Sequence, residues 1–328
     1  MSKFLNDPRN AVTESLRGFA LCHAADVTLN ESPRYVRRRC PNPGKVSIIA
    51  GGGSGHEPMH AGFVGFGMLD AAVPGEVFSS PSPDQILAAA DAVAGKPGVL
   101  FIVKNYSGDI MNFEMAMEMR AGADRRVLIE DDVAVETSTY SSGRRGVAGT
   151  LVVEKIVGAA AESNADLEQC AIVAADVAAR TRSMGVALSG CRVPTSDRPN
   201  LELPPGEMEL GIGIHGEPGR RRAKLQSADD IMLELLTPVI EDLNPGSGEP
   251  LLLFINGFGG TPLMELYILY NAATRILAGR SAVIARSLVG SYVTSLEMAG
   301  ASVTLTRLSP SLLSLWDAPV RTPALRCS

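Results

Sequence analysis

Short apolar runs alternate along this chain with longer windows of good helix formers. The runs Val46–Ala50, Val99–Val103, Val127–Ile129, Val186–Leu188, Leu251–Ile255, Ala282–Ala285 and Val303–Leu305 have the length and residue types of buried strands. Between them, Pro83–Ala94, Met111–Arg120, Leu151–Glu162 and Leu263–Leu277 are rich in straight-chain residues and alanine and predict helices. Buried strands alternating with helices predict an α/β protein with two α/β domains, each a sheet layered with helices. Two turn-rich stretches break the alternation: Val193–Glu207, with four prolines, and Glu241–Pro250. The division is placed near Met184, giving one domain over residues 1–183 and another over 184–328.

Composition narrows the class further. The 328 residues leave room for two domains of about 150 residues. With 33 Gly and 21 Pro the chain is neither collagen-like nor of low complexity. A formal net charge of −6 argues against nucleic-acid binding as its main business. The start, MSKFLNDPRNAV, has no basic stretch followed by an apolar segment, and no apolar run reaches the ~18 residues of a membrane span, so neither secretion nor a membrane is expected. Cys22, Cys40, Cys170, Cys191 and Cys327 are odd in number, scattered and without a CxxC pair. That pattern offers neither a disulfide framework nor a zinc knuckle, and a cytoplasmic protein is expected.

Candidate chemistry gathers in a few turns. Two of the four histidines sit in glycine-rich turns after strand-like runs, His56 in AGGGSGHEP and His215 in GIGIHGEPG. Glycine there lets backbone N–H groups approach a small ligand, and ligands of α/β sheets bind where such strands end. His56-Glu57-Pro58-Met59-His60 matches H-E-x-x-H literally, but Pro58 would have to stand in a first helical turn. A helix starting near Glu57 or Pro58 leaves His56 off the face of His60, no third ligand is evident, and no metal is expected. Gly51–Gly55 is not followed by Gly-Lys-Ser/Thr, and no glycine stands at position 56, so both the phosphate loop and the dinucleotide fingerprint fail. Lys104-Asn105-Tyr106-Ser107-Gly108-Asp109, directly after a strand-like run, puts a cation, hydroxyls and a carboxylate into one loop; it also reads as a turn capping the next helix. Asp131-Asp132 reads as a polar strand end ahead of a magnesium pair, and the triplets Arg37–Arg39 and Arg220–Arg222 as solvated surface, the second with an anionic partner as the lesser reading.

Taken in order, AGGGSGHEPMHAGFVGFGML, VKNYSGDIMNFEMA, EDDVAV, GRRGVAGTLVVEKIVGAAAE, MELGIGIHGEPG and the tail LWDAPVRTPAL closely resemble the substrate-binding K subunits of dihydroxyacetone kinases, over nearly the whole chain. The resemblance implies a homodimer of two α/β domains that binds dihydroxyacetone covalently. It assigns His215 as the nucleophile that adds to the ketone carbon to give a hemiaminal, and His56 and Asp109 as groups that contact the substrate hydroxyls and exchange protons. Gly53, Ser54, Gly55 and Lys104 complete the implied pocket. No nucleotide is implied on this chain; ADP or ATP with magnesium is expected on a separate nucleotide-binding L subunit. Because the chain stops at Ser328 without a fused L domain, the branch recharged from phosphoenolpyruvate through a phosphocarrier protein is favoured over the ATP-dependent one. A kinase for a four-carbon ketose such as erythrulose, and a ketone-sensing regulator that transfers no phosphate, are the alternatives. The chemistry is reasonable: a small polyol-like ketone earns limited non-covalent affinity even at about 1.5 kcal/mol per non-hydrogen atom, whereas glycerol cannot form the carbon–nitrogen bond.

Overall fold

The computed structural model describes residues 3–135 and 138–328; Met1 and Ser2 of the leading stretch, and Glu136 and Thr137 inside the first predicted domain, lie outside the described residues. Helix α1 (Ala11–Cys22) lies on an antiparallel pair, β1 (Val27–Glu31) and β2 (Arg34–Arg38). Then follow β3 (Ser47–Ser54), β4 (Ala71–Val77), α2 (Pro83–Val93), β5 (Val99–Lys104), α3 (Ser107–Met119), β6 (Asp124–Ile129), α4 (Gly149–Glu162) and α5 (Leu167–Ala179). After them come β7 (Thr181–Ala187), β8 (Glu207–Leu210), β9 (Arg221–Lys224), α6 (Ala228–Leu243), β10 (Pro250–Gly257), α7 (Leu263–Gly279), β11 (Val283–Gly290) and β12 (Gly300–Arg307). The chain closes with α8 (Pro310–Asp317) and a small hairpin, β13 (Val320–Arg321) and β14 (Arg326–Cys327).

Two six-stranded sheets result, in the orders β1-β2-β4-β3-β5-β6 and β11-β10-β12-β7-β8-β9. β4, β3, β5 and β6 run parallel, with turns joining β3 to β4 and α2 and α3 joining the rest, so their ends converge on one edge of the first sheet. The second sheet is antiparallel except for the β10–β11 pair. This is the two-sheet α/β architecture expected from the alternation.

Where prediction and structure differ, polar burial or a proline is the reason. β7 begins at Thr181, before the apolar run at Val186. Its buried Thr181 and Ser183 are satisfied by Thr306 (2.9 Å) and Thr304 (2.7 Å) of β12, so polar residues occupy the sheet interior without penalty. α6 runs through Pro238, which obscures its helical pattern. No α-helix starts at Glu57 or Pro58; that stretch is a series of turns followed by one short 3₁₀ turn at Ala61–Phe63. The arginine triplet at 37–39 is not merely solvated, since Arg38 is paired with Asp70 (3.0 Å) and Glu162 (2.5 Å). In the second triplet Arg220 donates to the backbone oxygens of Val133 and Ala134.

α4 joins the two halves. From Gly149 to Ala161 every residue of it is buried, the mark of a helix packed on all sides. The largest apolar cluster includes α4 and draws Ile48 and Leu100 from the first sheet and Ala187, Leu252 and Phe254 from the second. α8 packs on α4, and the segment after it returns to the first half, where Arg321 N donates to Phe66 O and Ala324 N to Gly62 O (both 2.9 Å).

Under the first sheet Asp70, 1% exposed, accepts from Lys45 Nζ (2.5 Å), Arg38 Nη1 (3.0 Å) and Ile48 N (2.9 Å). Lys45 is itself 1% exposed. Removing one partner of a buried pair leaves an uncompensated charge, so Asp70→Ala is expected to cost roughly 3–5 kcal/mol. Urea unfolding checks this, and a loss below about 1 kcal/mol would show that the cluster contributes little.

Candidate active site

The ends of β3 and β5 are built to meet at close range. A Cβ on Gly52 would fall on Lys104 Nζ, and one on Gly53 would come within 2.6 Å of the Ser79 backbone nitrogen and 2.7 Å of Phe78 Cα. Packing against backbone therefore requires glycine at position 53, whereas a side chain at position 52 would have to displace Lys104 Nζ. Gly55 has φ +103°, open to glycine at little cost, and this turns the chain so that His56 points back under the sheet edge. The following loop is pinned from the second half. Thr294 N donates to His56 O (3.3 Å), Leu296 N donates to Gly55 O (2.9 Å), and buried Asn256 holds that partner loop through Tyr292 and Val293.

His56 is fully buried, and its Nδ1 lies 2.7 Å from the Thr294 carbonyl oxygen. A carbonyl only accepts, so Nδ1 carries the proton and Nε2 presents a lone pair; that nitrogen is buried with no hydrogen-bond partner among the described residues. Burial, with the charges of His215 and Lys104, lowers the proton affinity of His56 well below that of a free imidazole. Its ring stacks on Phe78 at 5.1 Å and meets the edge of His215 at 4.8 Å.

His215 hangs from the loop between β8 and β9. Its Nδ1 is 2.9 Å from Glu217 Oε1, and its backbone N–H donates to Oε2 of the same carboxylate (3.0 Å). Burial alone would raise Glu217, but His215 and Arg145 outweigh it and hold the carboxylate at about 2, ionised at any working pH. An ionised acceptor fixes the proton on Nδ1 and leaves Nε2 of His215 as a free lone pair. Arg145, 0% exposed, braces this loop by donating to Gly211 O (2.6 Å) while pairing with Asp132 (2.7 Å). Burial lifts Asp132 to about 6 against the pull of Arg145. Asp131 caps α4 by accepting from Val147 N (2.8 Å) and Gly149 N (2.7 Å), so the two aspartates serve different structural ends.

Asp109 lies in the first turn of α3, only 3% exposed, with Lys104 Nζ 3.6 Å from its Oδ2. Tyr106 is the residue that caps α3, without a side-chain bond, so Asp109 does not serve as the cap. The Tyr106 ring stands edge-on to His215 at 4.6 Å, and burial raises its phenol well above the usual value. Gly53, Phe78, Ser80, Tyr106, Gly108, Asp109, Tyr140 and His215 enclose a cavity of about 290 Å³.

Of the residues singled out from sequence, Gly53, Asp109 and His215 thus line one cavity, with His56 directly behind His215. Lys104 stands behind Asp109, its Nζ donating to Gly51 O (3.1 Å). Ser54 and Gly55 do not line it; the Ser54 hydroxyl donates to Gly75 O (2.7 Å), and Gly55 N donates to Glu57. The sequence assigned no part to Glu217, Arg145 or Phe78, and to Tyr106 only a hydroxyl in its loop, although Glu217 lies two residues from His215 inside a quoted block. His56 and His60 face different partners, as His60 is held by Glu154 (2.6 Å) and Lys104 (3.0 Å).

With this geometry in hand, the sequence pattern of the Dak1 domain matches residues 17–324, and the chain belongs to the Dak1 family. It is 43% identical to the Escherichia coli protein named PEP-dependent dihydroxyacetone kinase, dihydroxyacetone-binding subunit DhaK, with 99% of each chain covered. Among solved structures it is similar to a dihydroxyacetone kinase operon co-activator, DhaQ, with TM-score 0.90, 33% identity and 95% and 97% of the two chains covered. The dihydroxyacetone kinase of C. freundii matches with TM-score 0.89 and 38% identity over 98% of this chain and 60% of that one.

The buried histidines set a pH dependence. In the unfolded chain an imidazole binds a proton near pH 6.5, whereas folded His56 stays neutral well below that. The unfolded state therefore binds more protons as pH falls through 6.5, and stability drops by at most about 1.4 kcal/mol per pH unit from this residue. Glu154, raised by burial, acts in the opposite sense and is common to wild type and variant. His56→Gln should accordingly lose less stability than wild type between pH 6.5 and 5.0 in denaturant titrations; equal losses would mean that folded His56 takes up its proton over the same pH range as in the unfolded chain.

Proposed function

We propose that this chain is the dihydroxyacetone-binding subunit of a phosphotransferase, capturing the ketone on His215 and presenting its hydroxyl to a phosphoryl donor carried by a separate subunit. The observation that carries this reading is the buried, ionised Glu217 holding the Nδ1 proton of His215, so that Nε2 meets the cavity as a lone pair beside Asp109. Nε2 attacks the carbonyl carbon, the carbonyl π pair moves to oxygen, and the oxygen takes up a proton from solvent to give a hemiaminal. The positive charge gained by the ring faces Glu217 through Nδ1–H, which stabilises the adduct. Selectivity for a ketone over a polyol follows, because only the carbonyl can form the bond.

In the same reading Asp109 accepts the proton of a terminal hydroxyl as that oxygen attacks phosphorus, and the lone pair of His56 Nε2 accepts from another substrate hydroxyl. Phosphoryl transfer otherwise depends on positioning and charge neutralisation. The donor is an adenine nucleotide with magnesium on the partner L subunit, recharged from phosphoenolpyruvate through a phosphocarrier; the name of the Escherichia coli relative supports the phosphoenolpyruvate branch. A homodimer belongs to this reading, and the outer edge of β11 with the exposed Leu263, Met264, Tyr267 and Ile268 of α7 is a surface suited to a second copy. Among the described residues no helix is long and apolar enough to cross a membrane.

Carbon NMR with carbonyl-labelled dihydroxyacetone tests the capture. Wild type should convert the carbonyl signal into a protein-bound tetrahedral carbon, and His215→Ala should not; an adduct that survives the substitution refutes the assignment. Asp109→Asn should still capture the ketone, yet transfer phosphate roughly 10²–10⁴-fold more slowly, the usual worth of a general base. Turnover near wild type in that variant would remove Asp109 from the reaction.

A further inference from the structure

Glu154 is fully buried on α4, whose other charged residues, Lys155 and Glu162, are bound elsewhere, and the capture mechanism gives it no work. An ionisable group in such a place is costly unless its protons are accounted for. Its Oε1 is 2.6 Å from His60 Nδ1, while Oε2 is buried with no partner among the described residues. On the other side of the ring, His60 Nε2 is 3.0 Å from Lys104 Nζ, which in turn donates to Gly51 O (3.1 Å) and lies 3.6 Å from Asp109 Oδ2. His60, Lys104, Glu154 and Asp109 are all under a tenth exposed.

We infer that Glu154, His60 and Lys104 form a proton relay behind Asp109, which lets the charge of Lys104 follow the protonation of Asp109. This rests on the kinase reading of Asp109. The heavy-atom geometry accepts two proton arrangements. In the first, ammonium Lys104 donates to His60 Nε2, and His60 Nδ1–H donates to the Glu154 carboxylate. In the second, the Nζ–H bond breaks as Nε2–H forms, and the Nδ1–H bond breaks as Oε1–H forms. Lys104 is then an amine accepting from Nε2–H, and Glu154 is a neutral acid donating to Nδ1. Two protons move and none is gained or lost.

While Asp109 is a carboxylate, the ammonium beside it favours the first arrangement. Once Asp109 has taken the substrate proton, the second leaves all four groups neutral in a site that disfavours charge. Burial raises the proton affinity of Glu154, against the pull of Lys104, and burial lowers that of His60, which suits a shared proton. The titratable groups facing the relay are Asp109, His56 and its own three members. His60, Lys104 and Glu154 do not line the substrate cavity, so they are positioning residues that act through Asp109.

Glu154→Gln separates the relay from a packing role, because an amide keeps the size and an acceptor oxygen but cannot take up the proton. In the kinase reconstituted with its nucleotide-binding subunit, kcat should fall roughly 10–100-fold, with ketone capture measured by carbon NMR within about twofold of wild type and an altered kcat–pH profile. Unchanged kcat, or loss of capture together with kcat, would overturn the relay. Nitrogen NMR of the His60 ring gives a second reading that needs no Glu154 variant and no substrate. With Asp109 ionised, wild type should show the ring shifts of the Nδ1–H form, and Asp109→Asn, which removes the carboxylate charge beside Lys104, should move them toward those of the Nε2–H form. Shifts that stay at the Nδ1–H form in Asp109→Asn overturn the relay even if Glu154→Gln fails to fold. If wild type captures no ketone, the kinase reading falls, while the ring spectrum still decides whether the protons are shared.

Discussion

Everything in this site depends on how near two backbones come at the ends of β3 and β4. Gly52 and Gly53 have no Cβ, and the space this leaves is filled by the Lys104 ammonium on one side and the Phe78–Ser79 backbone on the other. That approach brings Phe78 into contact with both histidine rings and puts Lys104 behind Asp109. A side chain at position 53 would push the two backbones apart, and one at position 52 would displace Lys104 Nζ from behind Asp109. The glycine run therefore does more than admit a ligand; it lets the protein's own parts meet.

Several buried charges are held in close pairs. Glu217 is kept ionised by His215 and Arg145, Arg145 is balanced by Asp132, and Asp70 is shared by Lys45 and Arg38. The Glu217–Arg145–Asp132 group links loops of the two halves, while the Asp70 cluster lies under the first sheet. They fix orientation more than they add stability, since desolvating two ions consumes most of their attraction. On the proposed capture, the same logic gives His215 a carboxylate at its back that holds the ring in one tautomer and would face the positive charge of an adduct.

Much of the fold was legible because it is written in apolar runs. β3, β5, β6, β10 and β12 coincide with short Val/Ile/Leu stretches, and α2, α3, α4 and α7 with the predicted windows, to within a few residues. What escaped was polar or interrupted. β7 hides its Thr181 and Ser183 against hydroxyls 120 residues away, and such long-range pairing leaves no local pattern. Within the site, the glycine turns, Asp109 and the two turn histidines stood out by residue type. Glu217 was on the page as part of a motif, but nothing in spacing says that its carboxylate is buried. Arg145 and Glu154 also stood inside a quoted block, but their meaning comes from loops and strands that meet them only in three dimensions.

The hairpin after α8 returns to bond Gly62 and Phe66, the segment that follows His60, while α4 and the loop at 291–296 tie the two sheets across the same region. Native surroundings for the first sheet's site loops thus require residues more than 250 positions further along. On the ribosome the first half can form its sheet, but the loop bearing His56 and His60 has no finished neighbours until Thr294 and then Ala324 have emerged. Synthesis at ≈ 5–20 residues per second imposes a delay of many seconds between the two events. During that interval the buried histidines and the glycine turn are open to water, so chemistry at this centre is a property of the finished chain and never of a nascent one.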